Sequence, residues 1–170
     1  MAEKWEAMPK DIEWHMIGHV QTNKVKFMAP FVSLIHGVDS FKLLEEINKQ
    51  AQKNNRIIDC LLQVHIAEEE TKYGLDENEL NEILSSVTFQ EMKNIRIVGL
   101  MGMATFTDNQ EQIKKEFTHL KTIFDTTNQL LTSNFQLLTL SMGMSGDYKL
   151  AIECGSTMVR IGSSIFGGRI

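Results

Sequence analysis

The amino-acid sequence predicts a parallel α/β fold, and three observations carry that expectation. Six short runs rich in apolar and β-branched residues alternate with helical patterns from end to end, and successive parallel strands need such crossover helices. The run RIIDCLLQVHIA is almost continuously apolar, as a strand buried on both faces should be. No long Gly/Pro/Ser tract interrupts the alternation, so residues 1–170 read as one domain. An open Rossmann-type sheet and a β/α barrel both fit. The first usually shows a glycine fingerprint after an early strand, and IGHVQTNK is not GxGxxG. The second takes eight strands and roughly 250 residues, and here there are six. The chain ends on a strand and starts on EKWEAM, which reads as the tail of a helix. On the barrel alternative, the expectation is an incomplete TIM-type (β/α) barrel with its first two strands missing.

The elements follow in order. IEWHMIG is the first strand, and NKVKFMAP is a short helical turn closed by Pro30. FVSLIHGV is the second strand. DSFKLLEEINKQAQKNN opens on Asp39 or Ser40 as a helix cap and carries Phe41, Leu44, Ile47 and Ala51 along one face. RIIDCLLQVHIA is the third strand. LDENELNEILSSV is a helix whose acidic first turn suits the positive end of its dipole. NIRIVGLMGMA is the fourth strand, and DNQEQIKKEFTHLKTIFDTTNQLL is the longest helix, with Ile113, Phe117, Leu120 and Phe124 at helical spacing. FQLLTLSMG is the fifth strand, GDYKLAIECG a short helix and TMVRIGSSIFG the sixth strand.

Composition narrows the function classes. A net charge of −5, with basic residues scattered rather than striped, argues against nucleic acid and against an anionic membrane surface as partners. No apolar run approaches the roughly 18 residues of a spanning helix, and the polar MAEKWEAMPKDIEW is no signal peptide. Cys60 and Cys154 lack any CxxC spacing and read as reduced, buried small hydrophobes. The expected location is cytoplasmic.

Candidate chemistry gathers at the C-terminus. In β/α barrels the loops after the seventh and eighth strands commonly form a phosphate site from backbone N–H groups. SMGMSGD and GSSIFG follow the last two strands here. Ser141 offers a hydroxyl, and Gly162 and Ser163 offer amides on a backbone that a ligand can approach; alternatively these residues only make turns. Arg160 lies inside the apolar strand MVRIG and needs a partner there. That partner is a carboxylate such as Glu153 or Asp147, or an electron-rich ligand atom such as a ring nitrogen. His15, His19, His36 and His65 read as polar interior residues rather than metal ligands, since no carboxylate completes a metal triad. Lys72, in EEETKYG, reads as part of a solvated charge run that could also turn inward. No GxSxG and no carboxylate-pair signature is present.

Four blocks carry a family resemblance: WHMIGHVQTNKVK, LLQVHIAEEETKYGL, GLMGMATFTD and LSMGMSGDYKLAIECGSTMVRIGSSIFG. In this order they closely resemble the pyridoxal-phosphate homeostasis protein family, related to the N-terminal barrel of alanine racemase, from about residue 5 to the end. The resemblance implies a β/α barrel that binds pyridoxal 5′-phosphate and handles the cofactor without catalysing a reaction. It implies that Ser141, Gly162 and Ser163 bind the phosphate and that Arg160 faces the pyridine nitrogen. Family members also carry an earlier strand ending in Ser-Lys, whose lysine forms the Schiff base, and that strand has no counterpart here. The expectation is therefore a truncated member binding the cofactor non-covalently, with open sheet edges prone to oligomerisation. The alternatives are a fragment of a racemase-like enzyme and a ligand-free interaction fragment. Lys24 or Lys72 would be the lysines open to an adventitious imine.

Overall fold

The predicted strands pair side by side in chain order in a computed structural model that describes residues 1–68, 73–131 and 135–168. They are β1 (Trp14–Met16), β2 (Val32–Val38), β3 (Ile58–Gln63), β4 (Ile95–Met101), β5 (Thr139–Met144) and β6 (Met158–Arg160). Every pairing is parallel. The sheet forms six strands of a half-barrel, with β1 and β6 each paired to a single neighbour. That is the incomplete TIM-type barrel expected from the sequence.

Helices fill the crossovers: α1 (Ala2–Ala7), α2 (Val25–Met28) after a 3-10 turn at Thr22–Lys24, α3 (Phe41–Lys53), α4 (Glu77–Ser85), α5 (Val87–Gln90), α6 (Gln110–Leu130), α7 (Tyr148–Glu153) and α8 (Ser163–Phe166). Their starts follow from capping side chains that satisfy otherwise orphaned amides. Ser40, not Asp39, caps α3, accepting from the Leu43 N–H at 3.3 Å. Asp76 and Glu79 form a reciprocal capping box on α4. Asn109 caps α6.

Three local expectations change. The first strand shortens to three residues. The tail of LDENELNEILSSV starts a separate short helix, α5, because Ser86 takes an extended backbone and caps it. TMVRIGSSIFG is strand only as far as Arg160, and Ser163 opens a helical turn instead.

Two apolar clusters lie on opposite faces of the sheet. The large one packs Ile35, Cys60, Leu62, Leu100, Leu140 and Met142 against Leu44, Ile47, Leu80, Phe117 and Leu120 of the helices. The small one contains Leu34, Leu61 and Met101, with Met158 against it. Because strand residues alternate faces, Leu34 and His36 share the second face, as do Leu61 and Gln63, and Met158 and Arg160. Ser141 falls between Leu140 and Met142 of the large cluster, which also puts it on the second face. His15, between Trp14 and Met16, joins it there. Polar groups therefore concentrate on the face turned away from the helices.

Two glycines let the strands meet. A Cβ on Gly99 would lie 1.8 Å from the Thr139 carbonyl oxygen, so only glycine permits the β4–β5 approach. Gly143 has φ +95° and would carry a Cβ 2.6 Å from that of Ala151. It occupies the irregularity where Ser141 pairs with Met158 but Met144 pairs with Arg160, so three residues on β5 match two on β6. No helix of the described residues is long and apolar enough to cross a membrane. Cys60 and Cys154 are free, the first buried and the second only half-buried, so the expected full burial holds for Cys60 alone.

Candidate cofactor site

Arg160 is where the site begins. It is the last residue of β6 and is only 8% exposed. Its Nη1 donates to Ser141 Oγ at 2.8 Å and its Nη2 to the Gly102 carbonyl at 3.1 Å. These partners are a hydroxyl and a carbonyl, not the Glu153 or Asp147 carboxylate. Asp147 Oδ1 instead accepts from the Met144 N–H at 2.6 Å, closing the turn after β5. Burial pulls the Arg160 pKa down to about 10, with the Asp147 charge acting the other way. The guanidinium thus stays a cation at neutral pH. Its Nε–H is buried without a hydrogen-bond partner, as is Trp14 Nε1 on the opposite face.

Ser141 is fully buried, and its hydroxyl is shared. Besides Arg160 it meets His36 Nδ1 at 3.1 Å, and His36 Nε2 meets His15 Nδ1 at 3.2 Å. His36 is lowered to about 3 by burial, then by His15 and Arg160, and is a neutral imidazole under ordinary conditions. Of the four histidines expected in the interior, His36 is buried, His15 and His65 are half-buried, and His19 is exposed.

The turns after β5 and β6 meet at a different serine. Ser145 Oγ accepts from the Gly162 N–H and from the Ser164 N–H, each at 3.3 Å. The bulge at Gly143 brings this about, because it advances β5 by one residue relative to β6. Gly162 and Ser163 are exposed, and a Cβ on Gly162 would meet nothing within 4 Å. Two amides that converge on one hydroxyl at an exposed turn are the elements of an anion cradle. The structure thus joins Ser141 to Arg160 and brings the Gly162 and Ser164 amides to Ser145, one turn further on, with Ser163 between them in sequence. Ser145 was legible in SMGMSGD only as the second of two serines, and the bulge decides which one faces the turn.

Other polar groups lie at the same ends of the strands. His19 Nδ1 is 3.0 Å from Asp39 Oδ2, and the His19 ring stacks on Tyr73 at 4.1 Å. Lys24 Nζ lies 5.8 Å from the Phe27 ring centroid, and Lys72 falls outside the described residues. Among the described residues no three His, Cys, Asp or Glu side chains are grouped to hold a metal. A cleft of about 840 Å³ lined by Leu84, Phe89, Ile95, Thr127 and Phe135 involves none of the expected site residues.

Comparison with known proteins bears on the family and the fold. The family model for the alanine racemase N-terminal domain matches residues 6–170. The pyridoxal phosphate homeostasis protein of Aquifex aeolicus is 41% identical over 168 residues, covering 98% of this chain and 72% of the relative. PipY of Synechococcus elongatus, solved with PLP bound, superposes with a TM-score of 0.84 at 29% identity, over 97% of this chain and 74% of PipY. The alanine racemase of Clostridium difficile matches with a TM-score of 0.73 at 14% identity, over 99% of this chain and 43% of the enzyme, which is a likeness of fold alone.

Proposed function

Because the chain belongs to the alanine racemase N-terminal domain family, we propose that it binds pyridoxal 5′-phosphate and serves cofactor homeostasis without catalysing a reaction. The observation that carries this reading is the buried, unpartnered Nε–H of Arg160. A buried donor without an acceptor is costly, and a pyridine nitrogen is an acceptor of the right kind. β5, β6 and the turns after them supply the rest. The Gly162 and Ser164 amides and the Ser145 hydroxyl would hold the phosphate, with Ser163 at the start of the helical turn beside it. Ser141 contributes from behind, by holding Arg160. The relative's name and PipY's bound PLP support the same ligand.

Bound in this way, pyridoxal phosphate supplies an aldehyde and an electron-withdrawing ring. An arginine at the ring nitrogen leaves that nitrogen unprotonated and weakens the electron sink, whereas a carboxylate would strengthen it. Arg160 therefore favours carrying the cofactor over using it. In this proposal hydroxyl, guanidinium and amide groups retain the cofactor non-covalently. The two free cysteines fit a cytoplasmic setting.

The test is a titration of the 170-residue chain with pyridoxal phosphate, followed by absorbance and tryptophan fluorescence. Saturable binding is expected, weakened by Arg160→Leu, with no pyridoxyl adduct in the mass spectrum after borohydride reduction. No saturable change would overturn the reading. Racemisation of an added amino acid would replace it with an enzyme, and a stoichiometric adduct would overturn non-covalent retention.

A further inference from the structure

Behind Arg160, four side chains from four strands stand in line. His15 of β1, His36 of β2, Ser141 of β5 and Arg160 of β6 are linked by contacts of 3.2, 3.1 and 2.8 Å. We infer that His15, His36 and Ser141 form a directional hydrogen-bond chain that fixes the Arg160 guanidinium, making His36 a positioning residue for the cofactor ring. The inference rests on the reading that Arg160 faces that ring.

The direction of the chain follows from what each group can donate. Arginine has donors only, so Ser141 Oγ accepts from Nη1. The Ser141 hydroxyl is fully buried, and its own proton needs an acceptor. Its other partner is His36 Nδ1, so that nitrogen accepts. His36 then carries its proton on Nε2 and donates it to His15 Nδ1. With its Nδ1 accepting, His15 carries its own proton on Nε2. The reverse order would strand a buried Ser141 O–H with nothing to receive it, an arrangement that folded proteins avoid.

The chain has a mechanical consequence. Ser141 holds Nη1 and the Gly102 carbonyl holds Nη2, which fixes the plane of the guanidinium and the direction of the unpartnered Nε–H. Arg160 also lacks a carboxylate among these partners, so neutral dipoles hold it without cancelling its charge. The cation remains available to the ligand. Burial keeps His36 neutral to about 3, so the chain keeps its direction across the ordinary pH range.

Two measurements test this. The first is the ¹⁵N spectrum of the imidazoles in the ligand-free chain at neutral pH. The expected result is an unprotonated Nδ1 and a protonated Nε2 for both His36 and His15. A protonated Nδ1 on His36 would overturn the chain's direction. The second compares His36→Leu with His36→Asn, whose amide oxygen can take the place of Nδ1 as acceptor. His36→Leu should raise the Kd for pyridoxal phosphate about tenfold, as expected when a buried polar contact is lost. His36→Asn should recover most of that loss, and neither should change the affinity for inorganic phosphate. Circular dichroism melts identify a His36→Leu chain that does not fold, in which case the spectrum and the asparagine variant decide. If Arg160→Leu binds pyridoxal phosphate as the unaltered chain does, the ring-facing role of Arg160 fails. If Arg160→Leu weakens binding and a folded His36→Leu does not, the positioning inference alone fails.

Discussion

A buried guanidinium needs several partners, and Arg160 has two, one on each Nη, while its Nε has none. Ser141, expected at the phosphate together with Gly162 and Ser163, and Ser145, which was not, make different contacts. Ser141 is enclosed and commits its hydroxyl to Arg160 and His36. Ser145 is in the turn and collects two amides. Their variants should therefore separate. Ser145→Ala should weaken binding of inorganic phosphate and of pyridoxal phosphate alike, by about tenfold, as for loss of a charge-assisted hydrogen bond. Ser141→Ala should weaken pyridoxal phosphate while leaving inorganic phosphate unaffected. Isothermal titration with both probes checks the pattern, and equal losses of phosphate affinity in the two variants would put both serines on the phosphate.

Among the elements, α6 does most to hold the loops at the site's end of the sheet. Glu116, buried on α6, accepts from the Glu68 N–H after β3 and from the Thr105 N–H and hydroxyl after β4, and Gln112 of α6 adds a fourth donor. Burial alone would raise the Glu116 pKa, but the hydrogen bonds from Thr105, Gln112 and Glu68 outweigh it and leave the carboxyl below its usual range. A carboxyl lowered by folding contributes stability that is present above its unfolded pKa, about 4.3, and is lost as pH falls through the folded value. Glu116→Gln should therefore cost about 2 kcal/mol at neutral pH, the scale of hydrogen bonds to a charged group. The gap between variant and unaltered chain should narrow as the pH is lowered beneath 4.3. Urea unfolding at neutral and acid pH measures it, and a gap independent of pH would remove the carboxylate from the account.

At the scale of the whole molecule, the sheet has two edges, β1 and β6, each with backbone groups on one side that no neighbouring strand pairs among the described residues. Each is only three residues long, which limits how firmly another strand can add to it. Phe106, on the loop after β4, and Phe166, in α8, are 92% and 85% exposed and add apolar surface. The 170-residue chain should accordingly self-associate weakly. Sedimentation velocity should show an average mass that rises with concentration. A cooperatively melting monomer at every concentration would show that the short edges protect themselves.

The sequence by itself determined the class of fold, because hydrophobic periodicity acts locally. The apolar run around Cys60 marked a strand buried on both faces, and the stripe Ile113, Phe117, Leu120 and Phe124 marked the inner face of α6, where the first three are buried and Phe124 is half-buried. It also singled out Arg160, since a cation in an apolar strand stands out in any sequence. The family resemblance supplied the ligand class. Tertiary structure alone decided how the site is wired. Ser141 and His36 are 105 residues apart and meet only because β2 and β5 turn the same face toward one interior. No local pattern contains that contact. Nor could spacing show that a glycine bulge at Gly143 shifts β5 by one residue against β6. In a parallel pair such a shift changes which side chain reaches the turn, and here it places Ser145 at the amides and leaves Ser141 behind the arginine.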